Sequence, residues 1–522
     1  LFRAWGPVGL VLLKSAAVLA LVLLMATRLR REGHGPAGQA VLLVPALVGA
    51  SFRLDVRPEL ATLLLAPLVL MLLQRARDDG RLAPLLAVPA IAALWANLHP
   101  GVILVPAMLS AAAALTLVME RWPFLRLPVP AGAQETGSHP PPRFGVRLAW
   151  VALAGAVAVT CNPYGTHLYR VPFELSRLLS SLPSPNLEWA RPEPAQFPMF
   201  YLGLAAAVVV TLLGVRRIDP LTTPALALAG VLSVLHLRNI GLFFLLLPIG
   251  LARPLRGLVE AAQRSRVYRA STAGGRVRPG FVAAAVTLVA GVPLLLYVPP
   301  VAVWGLGVAP GNEPRSVVDT LQRVGAGRRL FNDVRFGGYL IWRRWPEHPV
   351  FIDGRNEVHA SLLREIFGAM ADPASWRTLL DRYAIDAALV RYPSVLRKVV
   401  YAGRNGGPAV ADERPFSAVY FPRSDWAVID WDDDSTLLLR RTDAQREVIE
   451  RLEYRALQPD DWRHAYAAAR VGAVPIGPLL DDIDRKLRDD PRCLRARQLR
   501  DLFGRLQAKI GSRQISGRPG AG

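Results

Sequence analysis

The chain has 522 residues, a mean hydropathy of +0.27 and 52% hydrophobic residues, too apolar for an ordinary soluble enzyme of this length. Its net charge of +21 comes almost wholly from arginine, since lysine occurs only at Lys14, Lys398, Lys486 and Lys509. Many arginines stand in short loops between apolar segments, which favours a topological role over a nucleic-acid partner. Two cysteines, far apart at Cys161 and Cys493, exclude a disulfide framework.

Long apolar segments fill the chain up to about Trp304. A membrane helix needs about 20 apolar residues to cross about 30 Å of hydrocarbon. The sequence therefore predicts an α-helical polytopic membrane domain of about ten spans over residues 1–304, and its shorter segments are also compatible with re-entrant helices. The segments lie near residues 8–27, 37–52, 59–74, 82–98, 101–119, 147–162, 199–215, 221–236, 239–252 and 280–304.

Alternate loops differ in arginine content. One set is rich in arginine, at residues 28–31, 75–81, 121–143, 216–217 and 253–278, and the other set is poor. Because basic residues resist translocation, the rich loops are predicted to be cytoplasmic, and everything after Trp304 to lie outside. The first residue, Leu1, would also lie outside, so we expect an N-terminally truncated fragment that lacks at least one upstream span.

A mixed, charged pattern replaces the apolar segments after about Gly311. It predicts an extracytoplasmic α/β domain over residues 305–442, a helical C-terminal region over 443–510 and a disordered tail over 511–522. Predicted strands cover 329–332, 350–352, 387–391, 427–430 and 436–440. Predicted helices cover 315–324, 337–344, 362–370 and 374–383.

Polar residues gather in the arginine-poor loops. They are Arg53, Asp55, Arg57, Glu59, Asn97, His99, Asn162, Tyr164, His236, Arg238 and Asn239. Arginine pairs well with phosphate through its planar fork, and histidine and carboxylate can move protons. We therefore expect one external cavity at the membrane surface, roofed by the soluble domain, and no comparable groups in the arginine-rich loops. Two alternatives stay open: these are interfacial residues at headgroup level, or the arginines merely pair with Asp55, Glu59 or lipid headgroups.

Two acidic motifs lie in the soluble part. Asp353-Gly-Arg355 follows a predicted strand and either contacts sugar or forms a strand-end turn. Asp432-Asp-Asp434 stands between two predicted strands, which favours a turn over a metal site. No metal-ligand spacing, phosphate-binding P-loop or serine nucleophile elbow occurs, so the sequence predicts no cofactor and gives no support for a divalent cation.

Several of these motifs together resemble a known group. The segments Asp55-Val-Arg57-Pro-Glu59, Trp95-Ala-Asn97-Leu-His99-Pro-Gly101, Asn162-Pro-Tyr164-Gly, Arg238-Asn239, residues 331–342 and Phe351-Ile-Asp353-Gly-Arg355 are similar to those of bacterial multi-span membrane proteins related to the C-type, lipid-linked-sugar glycosyltransferase superfamily. That superfamily includes protein mannosyltransferases and lipid-A sugar transferases. The resemblance covers roughly residues 1–440.

The resemblance implies a function and a location. It implies an enzyme of the bacterial inner membrane that transfers a sugar from a polyprenyl-phosphate donor to a lipid or glycan acceptor outside the cytoplasm. In that superfamily the first external loop carries the catalytic carboxylate, and this loop would precede Leu1, so no catalytic residue is assigned here. A lipid or glycan transporter (flippase) and a non-catalytic scaffold with an external binding domain remain alternatives. Polar groups on one surface and the absence of a visible repeat disfavour the transporter.

Overall fold

The computed structural model describes residues 2–122, 143–181, 187–264, 313–325, 327–346, 348–356, 358–401 and 410–516. The chain divides into two compact units, Leu1–Val308 and Ala309–Gly522. The first unit is helical, and the second combines a small sheet with helices.

The described part of the first unit is a bundle of α-helices. They are α1 Phe2–Arg31, α2 Pro36–Ala50, α3 Leu60–Asp79, α4 Ala83–Ala96, α5 Leu104–Arg121, α6 Phe144–Val159, α7 Val171–Ser181, α8 Pro198–Leu213, α9 Thr223–Leu235 and α10 Ile240–Arg264. Nine of the predicted spans coincide with a helix, and the tenth, 280–304, lies outside the described residues. The short amphipathic helix α7 lies in a segment predicted to be a loop.

The number of membrane-spanning helices in the described residues is lower than predicted. Within the described residues, four helices are long and apolar enough to cross a membrane: Ala4–Arg31, Leu60–Asp79, Pro100–Arg121 and Leu237–Ala262. Helices α4, α6, α8 and α9 are apolar but shorter, with 13 to 16 residues, which is about 20 to 24 Å at 1.5 Å per residue. The predicted helical class is confirmed, and the apolar helices suggest a membrane protein, but the described residues contain fewer spans than the predicted ten.

Helix α10 lies at the centre of the bundle and packs against α1, α2, α3, α8 and α9. Its residues from Ile240 to Ile249 are mostly buried, as expected for a helix enclosed by others. Outer helices instead expose large apolar side chains, including Leu23 on α1, Trp150 on α6 and Leu212 on α8. Such an apolar exterior fits lipid contact.

The second unit is built on a four-stranded sheet, whose strands are, in order across the sheet, β1 Leu330–Asn332, β2 Ala387–Arg391, β6 Ser435–Arg440 and β5 Trp426–Trp431. Strand β1 is parallel to β2, and the other neighbours are antiparallel. A separate hairpin pairs β3 with β4. The elements are α11 Arg315–Val324, β1 Leu330–Asn332, α12 Gly337–Arg344, α13 Ala360–Ala369, α14 Pro373–Arg382, β2 Ala387–Arg391, β3 Leu396–Tyr401, β4 Val410–Pro415, α15 Phe416–Tyr420, β5 Trp426–Trp431, β6 Ser435–Arg440, α16 Arg446–Leu452, α17 Trp462–Arg470, α18 Ile476–Asp489 and α19 Leu494–Ser516.

Most predicted elements of this unit are confirmed, but one strand is wrong. Residues 350–352 form no strand, because the Asn332 side chain binds their backbone where a neighbouring strand would. Its Nδ2 donates to the Ile352 carbonyl at 2.7 Å, and its Oδ1 accepts the Phe351 N–H at 3.0 Å. The β3–β4 hairpin was not predicted.

The helices after residue 443 share a core with the sheet. Trp431 of β5, Leu479 of α18 and Phe503 of α19 are buried in one apolar cluster. The buried Lys486 of α18 reaches Asp430 of β5 at 2.8 Å. Helix α19 continues to Ser516, so the prediction of a disordered tail from residue 511 begins too early, and residues 517–522 lie outside the described part.

Candidate functional site

Four loops meet at one end of the first unit and form a charged group that we call the Glu59 cluster. Its members are Arg53, Arg57, Glu59, His99, Glu188 and Arg238. Arg53 is buried, donates to Glu59 and lies 3.0 Å from Glu188. Arg57 is half exposed and donates to the same Glu188 oxygen at 2.7 Å. Two loops far apart in the sequence, one before α3 and one before α8, are thereby joined.

The loop before α10 brings Arg238 and His236 to the same place. The Arg238 guanidinium lies over the Trp189 ring, 4.7 Å from its centroid, and 3.9 Å from Glu59. His236 Nδ1 is 2.8 Å from the Trp189 carbonyl, and its ring packs edge-on against the same indole at 5.3 Å. His236 therefore positions Trp189, and Trp189 supports Arg238.

His99 is held as a neutral imidazole beside these arginines. Its Nδ1 accepts the Gly101 N–H at 3.0 Å and lies 2.7 Å from the Thr62 hydroxyl, which accepts from Trp95 at 3.0 Å. Burial, together with the charges of Arg238 and Arg53, lowers the pKa of His99 to about 4. The hydrogen bonds at Nδ1 assign the proton to Nε2, for which the described residues provide no hydrogen-bond partner.

Together with the neighbouring Asp55, which lies 3.6 Å from Arg57, the Glu59 cluster is charge-balanced. Three arginines, Arg53, Arg57 and Arg238, face the carboxylates of Asp55, Glu59 and Glu188. Burial raises the pKa of Glu188, but Arg53 and Arg57 more than offset this and hold it below its usual range. The arginines do pair with carboxylates, as the alternative reading expected. Arg57, by its exposure, is the arginine best placed to exchange a carboxylate for a bound anion. Arg238 is partly buried, lies over Trp189 and is the other cation near Glu59.

The remaining predicted residues of these loops mainly hold backbone. Asn97 Nδ2 donates to the Cys161 carbonyl at 2.8 Å, Asn162 Nδ2 to the Val159 carbonyl at 2.7 Å, and Asn239 Nδ2 to the Leu232 carbonyl at 3.0 Å. Asn162 and Asn239 thereby close the turns that follow α6 and α9, and Asn97 joins the end of α4 to the end of α6. Tyr164 and Asp55 are exposed at the same end.

Asp353 and Arg355 belong to the second unit and form a closed turn. The buried Asp353 accepts the Arg355 N–H and Nε, each at 2.9 Å, and lies 3.2 Å from His359 Nε2. The Arg355 hydrogen bonds, outweighing burial, hold the pKa of Asp353 well below its usual range. This geometry fits the strand-end turn. Asp432 also forms a turn, since its Oδ1 accepts the Ser435 N–H and hydroxyl at 2.8 Å.

A second charged group, which was not predicted, lies in the first unit. This Asp219 network contains Arg28, Glu32, Gln74, Arg77, Asp78, Asp219 and Arg253. Asp219 is 1% exposed, accepts from Arg77 and accepts from Gln74 at 2.8 Å. Arg253 joins the network through Glu32 at 3.1 Å. The expectation that the arginine-rich loops carry no comparable groups is wrong. The signal was present in Glu32, Asp78 and Asp219, three carboxylates at the ends of apolar segments.

The two charged groups lie at opposite ends of the same helices. Glu59 precedes α3 and Gln74 follows 15 residues later, about 22 Å along the helix axis. Helix α10 likewise begins beside Arg238 and carries Arg253 in its second half. The Glu59 cluster therefore lies in the arginine-poor loops, and the Asp219 network lies at the arginine-rich loops.

Within the described residues, no group of three or more His, Cys, Asp or Glu side chains is placed to hold a metal ion. No protein-family model matches the chain, and no curated protein is significantly similar to it.

Proposed function

We propose that the Glu59 cluster binds the phosphate head of a polyprenyl-phosphate-linked sugar, and that the protein transfers this sugar to a lipid or glycan acceptor outside the cytoplasm. The observation that carries the proposal is the convergence of three arginines from two loops, beside a neutral histidine, at one end of an apolar helical bundle. A substrate with a charged head and a lipid tail fits such a place.

The half-exposed Arg57, the partly buried Arg238 and the neutral His99 would supply the chemistry. Arg57 and Arg238 would hold the phosphate by charge-assisted hydrogen bonds and stabilise it as the leaving group. His99 would donate from Nε2, because its Nδ1 already accepts hydrogen bonds. No carboxylate of the cluster is assigned as the base that activates the acceptor hydroxyl, since Glu59 and Glu188 are both paired with arginine.

A flippase is the second candidate, and one specific observation favours it. The Glu59 cluster links α3 to α10 at one end through Glu59 and Arg238, and the Asp219 network links them at the other end through Asp78 and Arg253. Ion pairs at both ends of shared helices would suit two gates that open in turn around a central path.

The fate of a labelled substrate separates these functions. The full-length protein is reconstituted into vesicles with a polyprenyl-phosphate sugar labelled in the sugar, together with an extract of lipid and glycan acceptors. Movement of label onto an acceptor supports the transferase. Movement of intact label to the opposite leaflet, without transfer, contradicts the transferase and supports the flippase. A label that stays intact in its original leaflet contradicts both the transferase and the flippase, and leaves the non-catalytic scaffold as the remaining hypothesis.

A further inference from the structure

One face of α12 in the second unit exposes two tryptophans. Trp342 is 48% exposed and Trp345, which follows the helix, is 65% exposed. The spacing of Arg335, Gly338, Trp342 and Trp345 puts these four residues on one side of the helix and of the turn before it. We call this set the tryptophan face.

The face is open and basic. A Cβ added to Gly338 would meet no atom within 4 Å, so the surface between Arg335 and Trp342 is unobstructed. Arg335 is exposed, and the described residues give its guanidinium no partner. The four residues include no carboxylate. Indole rings beside an arginine are the composition of protein surfaces at lipid headgroup level.

We propose that the tryptophan face docks on the anionic headgroup region of a bilayer. Two amphipathic rings and one guanidinium complement a layer that is part apolar and negatively charged. Within the described residues, four helices of the same chain are long and apolar enough to cross a membrane, and they would tether this unit to a bilayer.

A probe inside the face tests this directly. In the Cys161→Ser background, Gly338→Cys places a fluorescent thiol label on the face and leaves both tryptophans in place. The other native cysteine, Cys493, is buried, and burial raises its pKa to about 12, so it will not take the label. Gly368→Cys is the matched control, because Gly368 is also an exposed helical glycine with open space around it.

The labelled full-length proteins are compared in vesicles containing lipids with a quencher near the headgroup. We expect the label at 338 to lose most of its emission in anionic vesicles and the label at 368 to keep it. Trp342→Ala with Trp345→Ala should restore emission at 338, and so should zwitterionic lipid. Equal quenching at both positions, or quenching at 338 that ignores lipid charge, overturns the proposal. A label at 338 that is unquenched by lipid but shielded by soluble oligosaccharide also overturns it and assigns the face to carbohydrate.

Discussion

His99 links local packing to a measurable pH dependence. Its pKa is lowered from 6.5 in the unfolded chain to about 4 in the fold. Between these values the unfolded state binds a proton that the folded state does not, so stability is full above pH 6.5 and falls as the pH drops towards 4. The free energy of unfolding falls by at most about 3 kcal/mol over this range, because each pKa unit contributes about 1.36 kcal/mol.

Replacement of the His99 imidazole should remove this pH dependence of the stability. We expect His99→Gln to have a flatter profile than wild type between pH 6.5 and 4, measured by thermal unfolding in detergent. Identical profiles for the two proteins would show that His99 is not held neutral by its surroundings.

Asp219 is the residue on which the second charged group depends. Burial raises its pKa, but Arg77 and Arg253 hold it far below the usual range, so it is a buried carboxylate ion. Asp219→Asn should destabilise the first unit by about 3 kcal/mol, because the buried Arg77 would lose its most buried counter-ion and keep only Asp78, at 2.9 Å. Asp79→Asn breaks only a more exposed pair with Arg75 and should change stability by about 0 to 1 kcal/mol. Similar unfolding curves for both variants would contradict the assigned difference.

At the scale of elements, close packing of α2 against α10 sets the geometry under the Glu59 cluster. A Cβ at Gly49 would overlap the Phe244 ring, and a Cβ at Gly241 would lie 2.8 Å from the Arg53 Cβ. Gly49→Ala should therefore destabilise the bundle by about 1 to 3 kcal/mol through overpacking. Gly35→Ala, with no atom within 4 Å, is the control and should be nearly neutral. Equal stability of the two variants would mean that the helices can separate freely.

Which elements the sequence predicts depends on how local their signals are. Helix α12 begins and ends as predicted, because its apolar period and its two opening glycines are local features. Residues 350–352 look like a strand, but a distant side chain, Asn332, takes the place of a strand partner. The polar loop residues were found because short loops limit where they can lie. The Asp219 network was missed, because its pairing of Gln74 and Arg77 with Asp219 joins residues more than 140 positions apart.

At the scale of the whole molecule, the two charged groups give the bundle two distinct ends. Cys161 is exposed at the end that carries His99, since its carbonyl binds Asn97. If the arginine-rich loops are cytoplasmic, a membrane-impermeant thiol reagent should label Cys161 in intact cells. The variant Arg75→Cys, in the Cys161→Ser background, should react with the reagent only after the cells are opened. Labelling of both positions from the same side would refute the orientation.

The central claim is that the Glu59 cluster binds a lipid phosphate. Its most direct test is the dissociation constant of a polyprenyl phosphate for the full-length protein in nanodiscs. Arg57→Ala and Arg238→Ala should each weaken binding about ten- to a hundredfold, because a charged hydrogen bond to phosphate contributes about 1.5 to 3 kcal/mol. Arg75→Ala, at the opposite end of α3, should bind as wild type does. Unchanged affinity in the first two variants, with all three equally well folded, would show that these arginines serve only their carboxylate partners.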